Sequence, residues 1–383
     1  MNSNKKKYYY WIDFLRWIAA IGIVFTHYHT LIFGTWKNIF DKSIQPLYNI
    51  FSYVYELGTY GVWFFWIISG FVFTNLYFNI NSSKKDFFIS RFARLYPLHL
   101  LTLILVLILQ SYSYFAFQGY QIYFTNDFYH FVLNFFLITK WGFEKGASFN
   151  YPIWSVSVEL IILIFFIYTL DFLKKFKIIF TIMMIIIAKT LLLTISISKG
   201  IVDNSTLYDI YTCLFYFFSG SFLYFFKIYF NKFKNKKFFI YLLLFVFSII
   251  LLNLEQYYNE PLGSIIPEKK GFFTTFEKII PTTVLIFSSI ILLATSLEDI
   301  FPSIGKKIKI LGDSSYCIYL IHIPINISLL IITKKFNIDE DIFLNSLFLI
   351  FYLFFIQFLS ICIFKFFESV MRKKIKNYFK IYR

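Results

Sequence analysis

The chain is short of charge. Only 15% of its 383 residues are Asp, Glu, Lys or Arg, while 58% are hydrophobic, 24% are aromatic and the mean hydropathy is +0.66. A soluble domain has to cover itself with polar side chains, so this composition excludes one and leaves an integral membrane protein. Nothing of soluble-domain composition separates the apolar runs or follows the last, and one membrane domain is expected to fill residues 1–383. Cysteine is scarce as well. Cys213, Cys317 and Cys362 fall in apolar runs, with no CxxC spacing and no histidine beside them, which excludes a cysteine-built metal site and leaves small packing residues. Acidic residues are few, 21 against 37 Lys and Arg, for a formal net charge of +16. That excess does not require nucleic acid, because basic loops such as KIYFNKFKNKK (227–237) and the tail MRKKIKNYFK (371–380) serve as topology signals and contacts for anionic lipid head groups.

What the chain does have is apolar length. Runs sufficient to cross a hydrocarbon core of about 30 Å predict an all-α, polytopic membrane protein of about ten helices, at 11–33, 55–78, 95–115, 154–172, 178–198, 208–226, 238–254, 281–298, 315–333 and 342–365. The first run follows Asn4-Lys5-Lys6-Lys7 but lacks a small-residue cleavage pattern, so it reads as a retained span rather than a signal peptide. With both termini cytoplasmic, the inside segments receive 25 of the 37 Lys and Arg residues, in accord with the positive-inside rule. Arg16 and Lys189 fall within spans. Residues 127–140, DFYHFVLNFFLITK, are too short to cross and are expected to be a re-entrant or interfacial element on the outer side. Residues 255–280 read as a second outer loop, polar and broken by Pro and Gly.

The first span carries polar residues that a bilayer disfavours: DFLRWIAAIGIVFTHYH (13–29) holds Asp13, Arg16, His27 and His29. Arg16 and His27 are eleven residues apart, so on a helix they lie roughly 20° apart around the axis and roughly 16 Å apart along it. They share a face. Asp13 is three residues before Arg16, within pairing reach, and Ala20 on the same stripe leaves room beside it. His29 points elsewhere. Polar residues inside a membrane usually face a bundle interior or a wet cavity, which makes this stripe a candidate functional site. The plainer reading is an interfacial Asp13–Arg16 anchor with a hydrogen-bonded His27.

Four other stretches bear on it. GVWFFWIISGFVF (61–73) contains Ser69-Gly70, a small pair that permits close helix contact. FFISRFARLYP (87–97) sets Arg91 and Arg94 on one face before Pro97; two guanidinium forks there suit phosphate, and positive-inside anchoring explains them equally well. WSVSVEL (154–160) puts Ser155 and Glu159 a turn apart at the outer start of a span, where Glu159 is placed to orient or charge-stabilise His27. An interfacial Glu in water is the alternative. SSYCIYLIHIPI (314–325) aligns Ser315, Tyr319 and His322 at i, i+4, i+7, with Pro324 expected to kink the helix.

In this order the five stretches resemble acyltransferase family 3, multi-span bacterial enzymes that modify cell-surface sugars; the resemblance covers nearly the whole chain. It implies transfer of an acyl group, usually acetyl, from cytoplasmic acyl-CoA to a hydroxyl of an extracytoplasmic glycan, at the bacterial cytoplasmic membrane and without a metal. The family's Arg/Lys-x10-His motif falls on Arg16 and His27, the histidine being catalytic, and its Arg-x-x-Arg motif on Arg91 and Arg94, which meet the acyl donor. The family's Trp-Ser-Leu-Ser-Val-Glu-Glu reads WSVSVEL here, keeping Glu159 and replacing the second Glu by Leu160. No additional SGNH-type esterase domain is expected. Catalysis is thus expected of His27, Arg16 and Glu159, donor binding of Arg91, Arg94 and Arg16, and substrate contact of Asp13, Ser69, Ser155, Tyr319 and His322. His27 as general base and His27 as covalent acyl carrier both remain open. The competing class is a transporter or lipid-linked glycan flippase, for which Lys189 and Glu159 would mark a path; the two halves show no internal repeat to support it.

Overall fold

The computed structural model describes residues 8–36, 42–79, 83–199, 206–231, 237–265 and 272–381, with backbone alone at 196–199, 252–265 and 272–282. The basic segment 4–7, residues 232–236 of the basic loop and residues 266–271 of the second outer loop lie outside the described residues. The chain is 85% helical, without strands among the described residues. Its elements are α1 (Tyr10–Phe33), α2 (Tyr48–Leu57), α3 (Gly61–Tyr77), α4 (Lys84–Phe117), α5 (Phe128–Phe135), α6 (Trp154–Lys199), α7 (Thr206–Phe230), α8 (Lys237–Ile265), α9 (Phe272–Ile300), α10 (Pro302–Asp313), α11 (Ser315–Phe336), α12 (Ser346–Ile363) and α13 (Ser369–Tyr378).

The apolar runs read from the sequence are mainly helical, although 55–78 is divided between α2, a 3-10 turn at Gly58–Tyr60 and α3, and 342–365 begins on a 3-10 turn before α12. Among the described residues, seven helical stretches are long and apolar enough to cross a membrane, and three features separate this number from ten. Polar-bearing α1 is not among the seven; the runs 154–172 and 178–198 are joined in α6; and the apolar stretch described in α8 is only Lys237–Leu251. In α6 the backbone leaves helical geometry at Lys177 (φ 47°, ψ −115°), between the two runs. Residues 255–280 are more helical than a Pro- and Gly-broken loop: α8 continues through Pro261 to Ile265 and α9 resumes at Phe272.

Helix ends follow their local chemistry. Ser83 Oγ caps α4 by accepting from the Asp86 N–H at 3.0 Å, satisfying one of the donors a helix start leaves unpaired. Asp127 caps α5 in the same way, accepting from the His130 N–H at 2.8 Å. That bond, with help from the His130 ring and Lys145, holds the Asp127 carboxyl below the usual carboxylate range. The segment 127–140 is therefore a capped two-turn helix followed by turns. His99 on α4 ties it down by donating from Nε2 to the Asn134 carbonyl at 2.8 Å.

The chain forms two compact units. The first comprises the described residues within 1–15, 63–81 and 161–309. Here α3 and α7 cross at glycines. A Cβ on Gly70 would stand 1.7 Å from the Phe217 carbonyl oxygen, and one on Gly220 would stand 2.0 Å from that of Ile67, so only hydrogen fits at either place. Aromatic side chains fill the rest: Trp63 stacks on Tyr216 at 5.2 Å and Phe166 meets Phe217 edge-on at 5.3 Å. The N-terminal turn of α1 is capped by Glu298, which accepts from the Trp11 N–H at 3.1 Å.

The second unit comprises the described residues within 16–62, 82–160 and 310–383. Its centre is α11, buried at every position from Ser315 to Ile327 and packed on α4 and α12. A helix hydrophobic all round is a core helix; α11 occupies that place while carrying Tyr319, His322 and Asn326. Between α12 and α13 the helix widens to a π turn at Phe364–Glu368.

Candidate active site

The site in the second unit starts on α1. The helix runs unbroken from Tyr10 to Phe33, so Arg16 and His27 keep the common face that their spacing requires, both half-buried with buried Ala20 between. His27 Nδ1 lies 2.9 Å from the Ile23 carbonyl oxygen. A carbonyl can only accept, so Nδ1 carries the hydrogen and, in the neutral ring, Nε2 carries the lone pair. The sequence assigned the orienting role to Glu159; the bond at Nδ1 belongs to the backbone of α1.

α11 brings the second histidine. The His27 and His322 rings lie 4.9 Å apart between centroids, edge to face. His322 Nδ1 faces the Ile318 carbonyl at 3.3 Å, one turn back, which repeats the tautomer of His27. Fully buried His322 Nε2 has no hydrogen-bond partner among the described residues. Two imidazoles thus meet with both Nδ1 positions occupied by backbone, leaving the Nε2 atoms as the acceptors. A neutral imidazole nitrogen of this kind is able to accept a proton from a hydroxyl or thiol within hydrogen-bond reach.

The network extends from each side. Tyr319, one turn before His322, donates to the Pro152 carbonyl at 2.5 Å and meets Ser155 Oγ at 2.7 Å. Glu159 is within electrostatic reach of Tyr319. WSVSVEL and SSYCIYLIH, 164 residues apart at this contact, are therefore joined, and the second of them touches the His27 stripe. Asn326, one turn after His322 and fully buried, donates to the His27 carbonyl at 3.3 Å and to Thr30 Oγ1 at 2.9 Å, and accepts from Tyr352 at 2.6 Å. Sequence reading missed it, although it continues the i, i+4 stripe of Tyr319 and His322. It missed Trp36 too, whose ring lies 4.9 Å from His27 and 4.6 Å from His29. His29 is buried, and its Nδ1 is bonded to the Thr26 carbonyl.

The remaining predicted residues lie elsewhere. Asp13 and Ser69 are buried in the first unit, where Asp13 accepts from the Tyr8 hydroxyl. Ser315 donates to the Gly312 carbonyl at 2.7 Å, at the start of α11. Arg91 and Arg94 are half-buried on α4 of the second unit. Arg94 is within electrostatic reach of Glu368, a buried carboxylate on the π turn that also lies in reach of Arg372. Cys317 donates its thiol to Glu368 Oε2 at 3.0 Å, so this cysteine does more than pack. Glu368 stands three residues past the last apolar run read from the sequence, and the π turn that buries it gave no signal there; such turns recur at functional sites. No cluster of three potential metal ligands occurs among the described residues.

Helices long and apolar enough to cross a membrane, with a pair of imidazoles meeting between two of them, define a multi-pass membrane protein that carries polar groups inside its apolar helices. The family model described as an acyltransferase domain matches residues 9–365, nearly the whole chain. The protein belongs to acyltransferase family 3, and is a membrane acyltransferase. No curated protein and no solved structure matches the chain.

Proposed function

We propose that the protein is an O-acyltransferase of the bacterial cytoplasmic membrane that moves an acyl group, usually acetyl, from cytoplasmic acyl-CoA to a hydroxyl of an extracytoplasmic glycan. The reading takes the chain as ten spans with both termini cytoplasmic, so that Arg91 and Arg94 stand at the donor side and His27 nearer the acceptor. The observation that carries it is the His27–His322 pair, with both Nδ1 atoms committed to backbone carbonyls.

His27 Nε2 takes the proton of the acceptor hydroxyl as its oxygen attacks the thioester carbon; the C–S bond breaks, and the proton passes to the departing thiolate, leaving an ester and free CoA. The same nitrogen, placed as nucleophile, would carry the acyl group covalently and release it to the hydroxyl in a second step. Either route uses a neutral imidazole with its hydrogen on Nδ1 and its lone pair on Nε2. Arg91 and Arg94 supply cations for the nucleotide phosphates, Arg16 engages the pantetheine arm, and Glu159, Ser155 and Tyr319 position the acceptor end.

The test is the O-acyl content of the host's surface glycan with wild type and with His27→Ala at equal membrane levels. Loss of acylation in the variant supports the assignment; normal acylation removes it. A wild type that moves a glycan without modifying it would make the protein a transporter.

A further inference from the structure

Pro324 sits inside α11, and the helix continues past it to Phe336. A proline has no N–H, so the carbonyl four residues back, that of Leu320, lacks the donor a helix ordinarily gives it. The interrupted interval, 320–324, contains His322. From outside the helix the Asn150 side chain fills the gap: its Nδ2 donates to the Leu320 carbonyl at 2.8 Å and to Thr102 Oγ1 at 3.2 Å. A carbonyl only accepts, so the amide nitrogen has to face it, and Asn150 Oδ1 has no partner among the described residues. The amide is therefore turned by its donor bonds. Thr102 gives its own hydrogen to the His99 carbonyl on α4 at 3.0 Å. His99 in turn holds the Asn134 carbonyl, and the Asn134 amide donates to Ser148 Oγ at 3.0 Å. All five side chains are buried in the second unit, so the segment 127–150 is anchored on α4 before it reaches α11.

We infer that Asn150 is a positioning residue of the transfer site, supplying the hydrogen bond that Pro324 denies to α11 and thereby fixing His322 opposite His27. This rests on the site reading proposed above and extends it to a residue outside the five sequence stretches. The bond is placed for that role. Tyr319 donates to the Pro152 carbonyl and meets Ser155, so residues 150–155 hold α11 at Tyr319 and Leu320, within a turn before His322. Asn326 holds it to α1 one turn after. His322 lies between these attachments, in the stretch whose own main-chain bonding is interrupted. Its Nδ1 contact with the Ile318 carbonyl, at 3.3 Å, is longer than an ordinary N–H···O bond. Where its Nε2 stands therefore depends on how that stretch of α11 is held. A side chain that only stabilised the fold would serve anywhere along α11; this one bonds the carbonyl that the proline exposes beside the histidine.

The test compares wild type with Asn150→Leu, which keeps a side chain of similar shape without a donor. Transfer from acetyl-CoA to the host's surface glycan is followed in membranes holding equal amounts of folded protein. The variant is expected to lose about ten- to a hundredfold in kcat with KM for acetyl-CoA unchanged. Thr102→Val, which removes the hydroxyl that helps turn the amide, is expected to give the same split with a smaller loss, and serves if Asn150→Leu does not fold. A second measurement needs no acyl transfer. Pro324→Ala returns a main-chain N–H to the Leu320 carbonyl and is expected to raise the thermal unfolding midpoint of Asn150→Leu more than that of wild type. An equal shift in both overturns the link between Asn150 and the proline. Unchanged kcat per folded molecule in Asn150→Leu and Thr102→Val overturns the positioning role and leaves Asn150 a residue of the fold. A wild type that transfers nothing, or His27→Ala that transfers normally, defeats the site reading and the role of Asn150 with it. Transfer lost in His27→Ala but normal in Asn150→Leu defeats the role of Asn150 alone.

Discussion

Two helix crossings, one in each unit, show two ways of joining helices. Where α3 meets α7 the helices approach until Gly70 and Gly220 have no space for a Cβ, and aromatic rings close the gaps. Where α1 meets α11 the contact is polar: His27 with His322, and Asn326 with the His27 carbonyl and Thr30. The first gains mainly from close packing, with one long hydrogen bond across it from the Ser221 hydroxyl to the Gly70 carbonyl at 3.4 Å. The second buries groups that need hydrogen bonds, and leaves His322 Nε2 without a partner among the described residues. Unmet bonding capacity costs stability wherever it is buried, and here it falls on a ring nitrogen that faces a second imidazole.

The sharpest break of this contrast is His27→Ala. Loss of a general base slows transfer by about 10²- to 10⁴-fold, read as acyl transfer by protein that remains folded, whereas His29→Ala, two residues on, retains most of the activity. Gly70→Val strikes the other crossing and is expected to cost about 3 kcal/mol or more through overpacking against the Phe217 carbonyl. Its readout is the yield and thermal stability of folded protein, which a merely permissive glycine would leave alone. Asn326→Leu lies between the two kinds: it removes the link between α1, α11 and Tyr352 and should destabilise by about 2 kcal/mol. It should also lower transfer, because the backbone that carries His27 loses its tie.

The smallest effect concerns the segment 127–140. Asp127 is largely exposed, and Asp127→Ala is expected to cost about 1 kcal/mol, the worth of a helix cap. Its carboxyl is held below the usual range first by the His130 N–H. The cap's contribution is therefore complete above the unfolded pKa of about 4 and is lost as pH falls through the lower folded value. Thermal unfolding of wild type and variant from pH 6 downward should converge at the acid end; a gap that stays constant would mean the carboxylate charge is irrelevant.

Much of the site was legible because helical periodicity is a local property. Arg16 and His27 share a face by spacing alone, and so do Arg91 with Arg94 and Tyr319 with His322. Asn326 belongs to the same periodic stripe and was legible in principle; its amide looks like any polar residue in an apolar run until the neighbouring helix is known. Glu368 was not legible, since its burial depends on a π turn and on the Arg94 and Cys317 that meet it from other helices.

By itself the sequence determined the solvent and the elements: too little charge for a soluble surface, apolar runs that become helices, and motifs whose order signals the family. Those features follow from composition and from contacts within a few residues. Only the tertiary structure decided which polar faces meet, setting His27 against His322, Ser155 against Tyr319, and Asn150 against the Leu320 carbonyl. The reason is physical: periodicity specifies a residue's direction around its own helix axis, while the partner it meets depends on how whole helices pack, through contacts separated by hundreds of residues.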